Sequence, residues 1–521
     1  MTTGGANGTI HIAVAPVPGA DPNLHKTLAD ALSRGMADAH YLTGRLTVRT
    51  LEKPVSPANL SNPVLTRAIR KTTGGATFLV WGSIQTDGDV DWYMVHLYAL
   101  DPIHQSRQAA GQRPIVPIIH RLPAFNPEQP LATVYAALGV TYMRLNRHQA
   151  AAQVFSVVND FPDLDLAERL PVVFFLALSD LARGIANKDA ALIDKALYHF
   201  ETLRPLLTQS GNPQLIGAAE VNRGFAYQLH PSRKGEATLD LAINAFEAAL
   251  PHYPASGSAA AVRARILHHI ATAEQHHGDI NDGVHLHRAI AFYKRALRFW
   301  NPEDHPEAYR GALHNMALCY QRLPVGNTRD NLLTAVQLYR SILAIPQLRH
   351  RPEIRAATWG NLAQAYQSLP LEKEGRNLWL AVAAYQEALR HWDETRNPAQ
   401  YGRFNQLIGQ LFQLMPAGDP RENRLRAVEH FDKALKVTSR VDDPMRYALI
   451  QVKRGVVWAQ MPPPGERHSL TLAASAFREA LTILTPSNLP IYHTKVIQNL
   501  VVVEARLKIL GAASTPAPKR F

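Results

Sequence analysis

The chain has 521 residues, more than the ~250 to 300 at which a single hydrophobic core stops growing, so it must divide or repeat. Its 46% hydrophobic and 19% charged content excludes wholesale disorder, and the lone Cys319 excludes an internal disulfide and any thiolate-built zinc or iron–sulfur centre within one chain. The net charge of +12 is dispersed, with 11 Lys/Arg against 8 Asp/Glu in residues 1–125 and no basic block elsewhere, which favours a solvated surface over a phosphate-tracking groove.

Residues 1–9 lack a basic start followed by an apolar core, and no stretch approaches the ~18 unbroken apolar residues of a membrane span. A reducing, cytoplasmic location without a membrane partner is the expectation. Residues 9–17 (TIHIAVAPV) and 45–53 alternate like strands, while 22–41 and 62–73 read as amphipathic helices. Residues 76–85 and 90–100 are two more strands, joined across Asp87–Gly88, a hairpin signal. The order β-α-β-α-β-β predicts a small mixed α/β domain over 1–105, followed by a linker at 106–124.

That order and the phrases IAVAPV, LADALSRGMA and FLVWGSI resemble the amino-terminal domain of TolB and related bacterial regulatory proteins. The resemblance implies a recognition or assembly module, engaging a second partner or self-associating. An independent α/β domain without that kinship is the other reading.

From residue 125 a repeat takes over. Ala289, Ala335, Ala381, Ala427 and Ala473 recur every 46 residues, each followed four residues later by Tyr293, Tyr339, Tyr385, Phe431 or Phe477. Offsets of four, seven and eight put this small–aromatic phrase on one stripe of a helix, called helix B. Ala271, Ala317, Ala363, Gly409 and Gly455 form a second ladder on the preceding helix A, with Tyr320, Tyr366, Phe412 and Trp458 three residues on and Glu274 breaking the rule.

Punctuation repeats too. Pro306, Pro352, Pro398, Pro444 and Pro490 suit the first turn of helix A, and Pro324, Pro370, Pro416 and Pro462 end it. Asn331, Asn377, Asn423 and Ser469 are expected just before helix B, as side-chain caps. Ala242, Phe246, Ala196 and Phe200 extend the series backwards. In the first unit Tyr135, Leu138, Gly139, Tyr142, Ala151, Phe155, Val158 and Pro162 follow the tetratricopeptide pattern.

On those residues the chain resembles the tetratricopeptide repeat family over 125–510. The resemblance implies a mostly α fold: a right-handed α-α superhelix of about eight hairpins, closed by an unpaired capping helix, with a disordered tail at 511–521. The 46-residue units depart from the family's 34-residue length, a difference attributed to a longer link such as 324–330. An unrelated helical-hairpin array is the alternative.

No phosphate loop, dinucleotide fingerprint, nucleophile elbow or HExxH is present, so no enzyme and no cofactor are expected. His268, His269, His276, His277, His285 and His287 crowd one repeat; metal binding would need their convergence, and polar surface residues are the plainer reading. Cys319 reads as a small buried hydrophobe.

The candidate site is the side of helix A turned away from helix B; the tetratricopeptide resemblance implies that helix A lines the inner, concave groove of the superhelix. In the central unit it offers Gly311, His314, Asn315, Leu318, Gln321 and Arg322; then come Gly360, Asn361, Gln364 and Gln367, followed by Arg403, Gln406, Gln410 and Gln413. Asn222 and Asn499 hold places equivalent to Asn315, and His268 is assigned to the same face. Amides donate and accept, which suits a peptide backbone, and Arg322 and Arg403 could hold a carboxylate. The expected partner is a protein or peptide; solvated polar residues are the bland reading, and a nucleic-acid-linked regulator using the dispersed basic surface is the alternative function.

Overall fold

The computed structural model describes residues 10–14, 46–50, 78–87, 90–99, 139, 143, 148–160, 166–233, 235–257, 259–277, 283–371 and 374–513. The helices expected at 22–41 and 62–73, the linker at 106–124 and residues 514–521 lie outside this set. The chain separates into two compact units, Met1–Gly278 and Asp279–Phe521.

In the first unit β1 (Ile10–Val14), β2 (Leu46–Thr50), β3 (Phe78–Asp87) and β4 (Val90–Ala99) form one sheet in the order β2-β1-β3-β4. Strand β1 runs parallel to both neighbours, with Ile10 opposite Leu46 and Ile12 opposite Phe78. β3 and β4 are antiparallel; Asp87 pairs with Val90, leaving two residues between the strands.

Among the described residues the same unit holds six helices: α1 (His148–Asn159), α2 (Leu166–Asn187), α3 (Ala190–Ser210), α4 (Pro213–Gln228), α5 (Glu236–Ala249) and α6 (Ala259–His276). Each packs against the next in sequence. Asp189 caps α3 by accepting from the Ala191 and Leu192 N–H groups. By length and a mean hydropathy of 1.4 over 169–187, helix α2 is apolar enough to cross a membrane although charged residues interrupt it, and 67% of that window is buried. It carries Phe174, Leu178 and Leu181 into the core, together with Asp180, which is fully buried beside Lys195 (3.0 Å) and Arg183 (3.3 Å). A buried carboxylate flanked by two cations is a device of packed protein.

The second unit holds α7 (Val284–Ala296), α8 (Pro306–Arg322), α9 (Thr328–Ala344), α10 (Pro352–Ser368), α11 (Arg376–Leu389), α12 (Pro398–Leu414), α13 (Pro420–Val437), α14 (Pro444–Ala459), α15 (Glu466–Leu481) and α16 (Pro490–Ala513). Pairs α8–α9, α10–α11, α12–α13 and α14–α15 are the 46-residue hairpins, and α16 packs on α15. The proline at the head of each helix A stands at its first turn. Ala317, Ala363, Ala335, Ala381, Ala427 and Ala473 are fully buried, as are Tyr339, Phe431 and Phe477. The small and aromatic rows that carry the tetratricopeptide resemblance are therefore rows that pack.

Three expectations need correction. The extra length is not mainly in the link: α8 and α9 have 17 residues each, so the helices alone consume a 34-residue unit, and Asp330 already lies inside α9. The caps of helix B are Asn327, Gly375, Asp419 and Gly465. Asn331, Asn377 and Asn423 instead sit in its first turn and donate their amides backwards, to the carbonyls of Val325 (2.9 Å), Leu369 (3.0 Å) and Ala417 (2.9 Å). The turn after helix A leaves a carbonyl pointing into the hairpin, so a donor is required there. The last helix also runs through Ala513, past the expected end at 510, because alanine sustains a helix.

Candidate partner-binding face of helix A

Within each hairpin, helix A presents one side to helix B and one to the preceding hairpin. On α8 the buried positions are Ala312, Leu313, Met316, Ala317 and Cys319. Gly311, Asn315 and Leu318 are half-buried and Arg322 is exposed, each on the remaining side of the helix. Periodicity of 3.6 fixes this division.

The structure separates the expected site residues into two groups. Asn315 and Asn361 are half-buried, Gln364 and Arg403 exposed, and Gln406 and Gln410 half-buried. Among the described residues, they and Arg322 make no side-chain hydrogen bond or ion pair. Asn499 is exposed on α16, and Gln367 and Gln413 are half-buried on the flank towards helix B.

The second group is turned into the fold. Gln321 accepts a 2.8 Å hydrogen bond from the Tyr339 hydroxyl, and the His314 ring meets the edge of the Tyr339 ring at 6.0 Å. Both serve their own hairpin. Asn222 is fully buried and donates to the Ala218 carbonyl one turn back, at 2.8 Å. A register shared with Asn315 thus did not ensure a shared environment, because the neighbours of α4 close over that position. His268 is half-buried, edge-on to His269 at 5.7 Å.

The histidine-rich repeat disperses. His269 packs on Phe225 (4.4 Å) and Phe246 (5.8 Å), His276 contacts the Thr272 carbonyl, and His277 approaches Asp240 at 3.3 Å. Among the described residues no three His, Cys, Asp or Glu side chains gather as metal ligands. Burial pushes His268 and His314 down to about 4, with Arg265 and Arg310 respectively adding to the effect, so both imidazoles are neutral at pH 7. Burial raises the Cys319 thiol to about 12, so it stays protonated.

Attention to positions the repeats share misses positions where one repeat departs from the others. Asn405 and His430 are both buried, and His430 Nδ1 lies 2.8 Å from Asn405 Oδ1. The Asn405 amide donates to the Tyr401 carbonyl at 2.9 Å, so its oxygen must accept from the imidazole. In the neutral ring Nε2 is then an acceptor. The sequence signal was available: 46 residues either side of His430 stand Ala384 and Ala476.

No protein-family model and no curated protein matches the chain. Similar solved structures include a crystallised tetratricopeptide repeat domain, 15% identical over 74% of this chain and 99% of that one, with a TM-score of 0.23. A signal transduction ATPase with numerous domains and a tetratricopeptide repeat sensor, from Pyrococcus horikoshii, is 10% identical over 96% and 80%, with a TM-score of 0.34. The APC/C hetero-tetramer Cut9–Hcn1 is 14% identical over 74% and 86%, with a TM-score of 0.24. The fold is an array of paired helices. The hairpins described above show it.

Proposed function

We propose that the chain is a non-enzymatic scaffold that receives a peptide or protein segment in a concave groove lined by successive helices A, on the side turned away from helix B. One observation supports this reading. Asn315, Arg322, Asn361, Gln364, Arg403 and Gln410 lie on one stripe of three consecutive hairpins and, among the described residues, make no side-chain hydrogen bond or ion pair. Amide and guanidinium groups left free in a row can match the alternating N–H and C=O of an extended segment, many weak contacts adding to one affinity. The region before residue 125 would engage a second partner or self-associate.

Photo-crosslinking from Gln364 and Gln410 in the full chain, with Gln337 on helix B as control, tests the assignment. Partners should be captured from the first two positions and lost on combining Asn315→Ala, Asn361→Ala and Arg403→Ala. Capture undiminished by that variant would remove the stripe as the binding face. Capture of RNA or DNA that weakens steeply with salt would favour the nucleic-acid reading instead.

A further inference from the structure

A cleft of about 440 Å³ opens between α11 and α13, the B helices of two successive hairpins, with α12 as its floor. Ligand pockets have volumes of this order. Its lining includes Gln386 of α11, Phe412 of α12, and Arg426, His430 and Lys433 of α13. Phe412 stands two positions beyond Gln410, and two positions turn a helical side chain by about 200°. The cleft therefore lies across α12 from the stripe proposed above.

The repeat supplies its own control. Where α13 carries Arg426, His430 and Lys433, the equivalent residues 46 positions before and after are Leu380, Ala384 and Glu387, and Leu472, Ala476 and Glu479. Spacings of four and three put the three departures on one stripe. Packing does not call for them: Ala384 and Ala476 fill the His430 position elsewhere, each 2% exposed. A buried imidazole and amide cost desolvation that alanine avoids.

Their chemistry has a direction. Arg426 gives Nε to Glu422 at 3.0 Å and lays its guanidinium over the Phe412 ring at 5.7 Å, keeping its terminal N–H groups. Lys433 gives one N–H to Glu429 at 2.6 Å and keeps two. His430 stacks on Phe412 at 5.8 Å, with Nε2 as an acceptor between the two cations in sequence. Glu429, the carboxylate at the rim, is held below its ordinary range, first by the hydrogen bond from Lys433. Arg426 and Lys433 are each paired one turn back with a carboxylate, Glu422 and Glu429, and it is their remaining N–H groups that flank the neutral acceptor. That set suits a carboxylate with an N–H beside it, which is what an acidic residue in a peptide presents.

We propose that this cleft is a second binding site of the chain, taking an acidic peptide segment through Arg426 and Lys433 on the carboxylate and His430 on the adjacent N–H. The site does not depend on the helix A stripe. Fluorescence anisotropy of the full chain with labelled, acetylated hexaglutamate tests it. Saturable binding is expected, at least tenfold weaker when Arg426→Leu, His430→Ala and Lys433→Glu install the residues of the neighbouring repeats. The Asn315→Ala, Asn361→Ala, Arg403→Ala variant should bind hexaglutamate normally. Circular dichroism checks the fold of each variant, and Arg426→Leu alone, at an exposed position, serves should the triple change unfold the chain. The proposal is overturned by absence of saturable binding, by equal binding of the cleft variant or of hexaglutamine, or by equal competition from free glutamate. Single-stranded DNA that binds more tightly and is lost in the same variant would also overturn it.

Discussion

Gly409 and the Phe431 ring approach so closely that a Cβ built on the glycine would stand 2.9 Å from a ring carbon. The same contact recurs between Gly455 and Phe477 (2.8 Å), Gly224 and Phe246 (2.6 Å), and Gly139 and Phe155 (2.6 Å). Helix A must be bare here because an aromatic residue of helix B fills the space. Gly409→Val should therefore lower stability by about 1–3 kcal/mol through overpacking, and Phe431→Ala by about 3–5 kcal/mol through the cavity left. Gly235, with nothing within 4 Å of its Cβ position, is the control: Gly235→Ala should change little. Urea midpoints of the three variants decide it, and a neutral Gly409→Val would show that the ring is free to move.

This pairing was legible in the sequence because both partners are fixed by periodicity: the glycine or alanine of one helix and the aromatic of the next are 22 residues apart in each 46-residue unit. The candidate face was only half legible. Arg403 and Gln364 are free as the helical wheel requires, but Gln321 is claimed by Tyr339. Periodicity assigns a side chain to a side of its helix; whether a long polar residue at the margin reaches across depends on rotamers and neighbours. The pairing of His430 with Asn405 joins positions 25 residues apart whose residue types no repeat rule dictates.

The backward-facing amides give a second expectation. Asn423 Nδ2 donates to the Ala417 carbonyl and Asn331 Nδ2 to the Val325 carbonyl. Asn423→Asp keeps the shape but replaces the donor with an acceptor facing another acceptor. It should cost about 1–3 kcal/mol, the range for an unsatisfied buried polar group. Hydrogen exchange should quicken first in the turn and at the start of α13. Unchanged protection there would mean that the amide does not hold the turn.

Cys319 is fully buried on α8, and burial holds its thiol near 12. With almost no thiolate at pH 8, it should resist a thiol-reactive disulfide reagent in the folded chain and react once in denaturant. Cys319→Ala should leave folding intact, because Ala365 occupies the equivalent place in the next repeat at 0% exposure. Rapid native-state labelling would contradict the packing described for α8.

Acid should destabilise the second unit through its neutral imidazoles. Burial lowers His430 to about 4, aided by Lys433 and opposed by Glu429, and it lowers His314 to about 4, aided by Arg310. An unfolded chain holds the same groups near their ordinary ~6.5, so between 6.5 and 4 the unfolded state binds more protons. Their contribution is therefore complete above pH ~6.5, declines as pH falls, and is fully lost below about 4. Each imidazole should account for about 1–3 kcal/mol of that loss, the lower figure allowing for partial exposure. Replacing them with residues the array already uses, His430→Ala as at Ala384 and His314→Gln as at Gln406, should flatten the fall in urea stability between pH 7 and 4 while carboxylate effects persist. A double variant as acid-sensitive as the parent would mean that neither imidazole is held neutral by the fold.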